Sequence, residues 1–167
     1  GGGLADTTAI VGASGLCTDE SGNLYVANWH SRVYKVNTSG FITTIAGTGE
    51  SGYSGDGGLA IHAKTIPFAI AVDKIGNIYI AEYDNNRVRM VNSAGIISTI
   101  TGNGVAGFSG DGGDAVNAQV YFPVGVAVDT CNNLYISDNR NHRIRKISFN
   151  PDCIPTSVKD VSDANNI

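Results

Sequence analysis

Apolar positions in this chain fall in short runs, many alternating with polar residues and most closed by Gly, Asn or Asp. The middle of the chain shows it most clearly, with runs at Ala69–Val72, Ile78–Ala81, Val88–Val91 and Ile96–Ile100. Further along they lie at Val124–Val128, Leu134–Ser137 and Ile144–Ile147. Upstream, a weak run at Leu16–Thr18 precedes clear ones at Leu24–Ala27, Val33–Val36 and Ile42–Ala46. The period of two in Arg87-Val88-Arg89-Met90-Val91, and the β-branched content, predict strands rather than helices. The segments Asp73-Lys74-Ile75-Gly76-Asn77 and Asn92-Ser93-Ala94-Gly95 are too short for anything but tight turns, which predicts antiparallel meanders.

The same pattern recurs at a fixed period. GNLYVANWHSRVYKV from Gly22, GNIYIAEYDNNRVRMV from Gly76 and NNLYISDNRNHRIRKI from Asn132 are copies, with Asn23, Asn77 and Asn133 equivalent. GTGESGYSGDGG from Gly47 matches GNGVAGFSGDGG from Gly102, and IPFAIAVD from Ile66 matches FPVGVAVD from Phe122. Self-similarity at this spacing means supersecondary units that stack on one another. Four short antiparallel strands per unit predict an all-β fold, a β-propeller of four-stranded blades, because radial repetition leaves only short edges exposed. About three blades are expected over 1–149, followed by a polar tail or linker over 150–167. The third unit shows no evident fourth strand after Ile147, so a strand from upstream is expected to complete it. GGGLAD at the start aligns with GGLAI at Gly57, which reads as a chain beginning inside a unit.

At these residues the chain resembles the NHL repeat family, whose motif pairs an apolar GVAVD strand with GNLYIAD and N-x-R-I-x-K-V. Gly125–Asp129, Asn133–Asp138 and Asn141–Ile147 match nearly throughout, and the middle unit almost as well. Leu16-Cys17-Thr18 departs from the inner-strand pattern. The resemblance covers roughly residues 1–149 and implies a six-bladed ring of which these blades are half. Missing blades are then supplied upstream in the same chain or by a second copy. The SGDGG loop resembles the variant found in secreted bacterial members, and the tail from Asn150 resembles the linker ahead of a type IX sorting segment. Both imply an extracellular or cell-surface location.

If strands a to d run antiparallel, the a–b and c–d turns share one face, while b–c turns and the long d–a connections share the other. Trp29 and Tyr83 then lie on b–c turns, with Tyr53, Asp56, Phe108 and Asp111 on d–a loops. Aromatics and carboxylates gathered on one rim point to a ligand-binding face for a protein, peptide or glycan. A structural alternative stands beside it. Tyr53 and Phe108 are one repeat apart and can plug the gap between blades, and an Asp in SGDGG can hold a tight turn. In Asp84, Asn86 and Arg87, as in Asn139, Asn141 and Arg143, an Asn or Asp is expected to hold the b–c turn while the Arg pairs across the blade.

Charge and composition narrow the functions. Eleven basic against fifteen acidic residues give a net charge of −4, with no basic run, so nucleic acid is not an expected partner. Glycine, at 22 residues, exceeds its usual share of about 7%, as many tight turns require. No apolar run approaches the roughly 18 residues of a membrane span, so membrane insertion is not expected. Some relatives implied by the resemblance are enzymes that hold a metal with channel histidines. His30, His62 and His142 do not occupy equivalent positions here, so no metal, no cofactor and no catalytic residue is expected. The alternative is part of a lyase or lactonase-like propeller enzyme whose ligands lie in missing blades. Cys17 sits at an inner-strand position and reads as a buried apolar residue. Cys131 in an a–b turn and Cys153 after strand c point to one face, so a Cys131–Cys153 disulfide is expected, the alternative being two free thiols.

Overall fold

In the computed structural model, residues 3–4, 9–149 and 155–161 are described. They form three antiparallel sheets standing side by side. The first carries β2 (Ala13–Thr18), β3 (Leu24–Asn28), β4 (Arg32–Val36) and β5 (Phe41–Ala46), with β1 (Gly3–Leu4) paired outside β5. The second is β6 (Pro67–Val72), β7 (Ile78–Glu82), β8 (Arg87–Val91) and β9 (Ile97–Thr101) in sequence order. The third is β10 (Pro123–Val128), β11 (Leu134–Asp138), β12 (Arg143–Phe149) and β13 (Pro155–Asp160). Each is a meander, as the short turns require.

Two findings differ from the sequence expectation. The strand completing the third sheet is β13, from the stretch expected to be tail, and Ile147 pairs with Val158. One fully buried side chain, Val158, anchors it among polar neighbours, and so weak an alternation does not announce a strand. The first sheet's inner strand also starts earlier than its apolar run, at Ala13.

Apolar faces of neighbouring sheets make two cores. Tyr25, Val33, Ile70, Ile80 and Ile97 close the first interface; Tyr79, Val88, Leu134, Ile136 and Ile147 close the second. Inner strands β2, β6 and β10 lie next to one another. Gly15 in β2 marks how close they come, since a Cβ there would stand 2.8 Å from the Phe68 carbonyl oxygen. Every a–b turn is held alike. Asp19, Asp73 and Asp129 each accept two backbone N–H bonds, an Asn amide (Asn23, Asn77, Asn133) and a Tyr hydroxyl (Tyr25, Tyr79, Tyr135).

The long connections between sheets run along the outer edge of the next sheet. Gly57 donates to the Ile97 carbonyl and Ile97 donates back to Gly58, while Gly112 donates to the Val158 carbonyl. The open edge of each following sheet is thereby covered by the loop that leads into it. Single 3₁₀ turns at Ala60–His62 and Ala115–Asn117 bring the chain back to the inner strands.

Candidate functional site

The b–c turns and d–a connections share one face, and two kinds of arrangement are built there. The first is a clasp between blades. Arg89 on β8 is fully buried, with Nη2 2.5 Å and Nε 3.0 Å from Asp56 Oδ1 in the preceding connection. It also donates to the Lys64 and Ser54 carbonyls and stands 3.5 Å from buried Glu82. Arg145 repeats this with Asp111, the Gln119 and Ser109 carbonyls, and Asp138 at 3.7 Å. Planar guanidinium groups suit such multidirectional acceptor sets.

Aromatic rings cover both clasps. The Tyr53 ring lies 3.9 Å from the Arg87 guanidinium and 5.0 Å from that of Arg89. Phe108 takes the same position under Arg143 and Arg145 at 4.3 and 5.2 Å. The Tyr53 hydroxyl donates to Asp56 at 2.9 Å. Gly55 and Gly110, both near φ +89°, let the loop pass so closely that a Cβ would meet the Ala63 Cβ and the Ala118 Cα at 2.8 and 2.7 Å.

The acids of the clasp titrate in opposite directions. Burial works to raise the Asp56 carboxyl, but hydrogen bonds from Thr99, the charge and bonds of Arg89 and the Tyr53 hydroxyl outweigh it and hold the pKa below the usual range. Burial prevails at Glu82 and at Asp138, and both are raised. Among the described residues the first sheet has no such buried acid–arginine pair. Asn28 and Tyr34 stand where its neighbours carry an acid and an arginine.

The second arrangement is a row of aromatic rings. The Trp29 and Phe68 rings stack at 6.2 Å, Phe68 meets Tyr83 at 5.3 Å, Tyr83 meets Phe122 at 5.7 Å, and Phe122 meets Tyr121 at 5.2 Å. The row passes from the first b–c turn to the start of β6, across the second b–c turn, to the residues just before β10. Trp29 is 58% exposed, and the other four are half-buried. Phe122 has φ +53°, which costs a bulky residue about 1–3 kcal/mol. Asn86 Oδ1, accepting its N–H at 3.1 Å, and Asp138 Oδ1, accepting the Tyr121 N–H at 2.7 Å, hold that conformation. Arg140 lies 5.5 Å from the Phe122 ring. Asp84, hydrogen-bonded to the Tyr83 hydroxyl, raises that phenol, and partial burial adds to it.

The six rim residues read from the sequence thus divide. Trp29 and Tyr83 come together through Phe68, whereas Tyr53 with Asp56 and Phe108 with Asp111 serve two separate clasps. Phe68, Tyr121 and Phe122 escaped sequence reasoning because they looked like inner-strand residues. Their signal was the aromatic residues flanking proline in IPFAI and YFPVG. His30 and His142 are exposed on b–c turns, and exposed His62 ends a 3₁₀ turn. Among the described residues no three His, Cys, Asp or Glu side chains are grouped to hold a metal ion. Burial, helped by the nearby Asp19 carboxylate, pushes the Cys17 thiol up to about 11. Cys131 is exposed in its turn, and its expected partner Cys153 lies outside the described residues.

Comparison with known proteins bears on this geometry. Residues 120–147 match the NHL repeat. Teneurin-1 of Mus musculus is 39% identical over 95 residues, 49% of this chain and 4% of the teneurin. A solved protein of unknown function from Bacteroides thetaiotaomicron superposes with a TM-score of 0.66 at 24% identity, covering 75% of this chain and 32% of its own. An auxiliary nutrient binding protein from Bacteroides ovatus gives 0.56 at 19% identity, covering 75% and 34%. Virginiamycin B lyase from Staphylococcus aureus gives 0.58 at 13% identity, covering 96% and 44%. This chain therefore spans less than half the length of each of these proteins. One unit thus matches the NHL repeat, and two more are built on the same strands, turns and loops, the arrangement of an NHL-type β-propeller.

Proposed function

We propose that this chain is a non-catalytic binding and scaffolding module, working outside the cell or at its surface. Its ligand, a protein, peptide or glycan, is taken up on the face of the b–c turns and d–a loops. The observation carrying this reading is the aromatic row, with Trp29 exposed and four half-buried rings on the turns and strand starts of one face. The B. ovatus nutrient-binding protein shares the fold, which supports a binding role without identifying a ligand. Exposed Leu16 on the first sheet and Ile144 on the third are read as surfaces for further blades, of this chain or of a second copy.

Immobilised chain tested against candidate ligands checks the face. Trp29→Ala and Tyr83→Ala are expected to weaken any specific binding at least tenfold with unchanged circular dichroism. Binding indifferent to both substitutions sinks the reading.

A second reading is favoured by the 96% coverage of this chain on virginiamycin B lyase. These blades would then be part of a lyase or lactonase-like enzyme whose catalytic residues lie in other blades. Lyase or lactonase activity in the full-length protein that survives removal of the rings on this face would support it.

A further inference from the structure

The row is more than a collection of surface aromatics. Its four successive ring contacts, all between 5.2 and 6.2 Å, run unbroken over parts of three blades. Trp29 and Phe68 lie nearly parallel, 22° apart, whereas the later rings are tilted against one another. Phe122 occupies its place only through a backbone conformation unfavourable to a bulky side chain, immediately before Pro123, which restricts it further. Two neighbouring blades hold that conformation, Asn86 from one side and Asp138, through the Tyr121 N–H, from the other. Backbone strain that the surrounding structure holds in place clusters at ligand clamps and similar sites.

Exposed polar side chains flank the rings. His30, Asp84, Asn139 and Arg140 all belong to the b–c turns or adjoin the row. One acid and one arginine leave the strip without a dominant charge, so it neither concentrates positive potential for an acidic polymer nor negative potential for a basic one. An aromatic face carries negative charge density. It attracts the weakly positive C–H face of a sugar ring, while amide, carboxylate, imidazole and guanidinium groups alongside can bond sugar hydroxyls.

We propose that this aromatic row binds an uncharged glycan chain, laid from Trp29 across Phe68 and Tyr83 to Phe122. The proposal rests on the binding-face reading above and narrows it to one ligand class. Trp29 supplies the open stacking platform, Phe122 and Tyr121 supply a preorganised one, and Arg140 beside Phe122 bonds ring hydroxyls. Preorganisation matters because side chains already held in place lose little entropy when the ligand arrives.

The test is affinity electrophoresis of the 167-residue chain in gels holding a soluble β-glucan, a xylan or a galactomannan. Gels with anionic polygalacturonate and a titration with a proline-rich peptide run beside them. Retardation is expected in at least one neutral polymer, weakened at least tenfold by Trp29→Ala and by Phe122→Gly, and largely kept in Trp29→Phe. Since Trp29 is exposed, its alanine variant keeps the fold, so a result does not hang on Phe122→Gly. No retardation by any neutral polymer, or retardation unmoved by Trp29→Ala, overturns the glycan assignment. If the peptide or another protein binds through Trp29 and Tyr83 while no neutral glycan does, only the glycan assignment falls. If no ligand depends on those two rings, the binding-face reading falls with it.

Discussion

Arg89 and Asp56 are supplied by different repeats, yet the guanidinium places both Nε and Nη2 on one carboxylate oxygen, at 3.0 and 2.5 Å. Behind that pair sits Glu82, as fully buried as the arginine. The first sheet carries Tyr34 and Asn28 at these positions, so a blade of this fold also forms without the buried pair.

Arg89→Tyr alone leaves the Glu82 carboxylate buried without its cation and is expected to cost about 3–5 kcal/mol. Adding Glu82→Asn, to copy the first sheet, should return at least about 1 kcal/mol, since residues in one network do not act additively. Urea denaturation of the two single variants and the double variant measures this. Additive losses would show that Arg89 and Glu82 are not energetically coupled.

The acids give a pH dependence with two signs. Asp56, like Asp19 and Asp129 in the a–b turns, is held below the ordinary range. Its contribution is complete above an unfolded pKa of about 3.9 and is lost as pH falls through the lower folded value. Glu82 is raised, so its contribution is complete below its unfolded pKa and is lost as pH rises through the folded one. The stability deficit of Asp56→Asn relative to the parent should therefore grow as pH rises from 3 to 5. Glu82→Gln should gain on the parent as pH rises from about 4 towards 7. Thermal melts across that range decide it, and parallel profiles for the two variants would refute the assignment.

Val158 tests the closing strand of the third sheet. It is fully buried between β12 and the SGDGG connection. Val158→Ala is expected to cost on the order of 2 kcal/mol by leaving a cavity, and Val158→Asp several kcal/mol more by burying an unpaired carboxylate. If chemical denaturation finds both neutral, residues 155–160 do not belong to the sheet.

The loop glycines separate steric from conformational cost. Gly110→Ala places a Cβ within 2.7 Å of the Ala118 Cα, whereas Gly112→Ala meets nothing within 4 Å. Both have positive φ, at +89° and +79°. Gly112→Ala should cost about 1–2 kcal/mol from the backbone alone, and Gly110→Ala clearly more. Equal melting temperatures for the two variants would contradict the close approach.

Much of the architecture was legible because its signals are local and repeated. Period-two runs, short Asn and Gly turns and three copies of the motif left few alternatives to four-stranded blades. Strand β13 was not legible, since a single Val among polar residues becomes apolar surface only once a neighbouring sheet is present to bury it. Which turns lie together was legible, because strand direction alone decides it. The division of candidate-site residues between clasp and row could not be read, because Asp56 finds Arg89 across 33 residues of chain and Phe68 meets Trp29 only when two sheets pack. Phe122 looked like one more strand residue, since nothing local reports a φ of +53°.

Because each connection grips the blade that follows it, injury in this molecule is displaced along the chain. A lesion at Asp111 or Phe108 is written in the loop after the second blade, but the side chains it releases, Arg143 and Arg145, belong to the third. Variants assigned to blades by sequence position alone would therefore be blamed on the wrong one, with the loosened strands appearing one repeat downstream of the mutation.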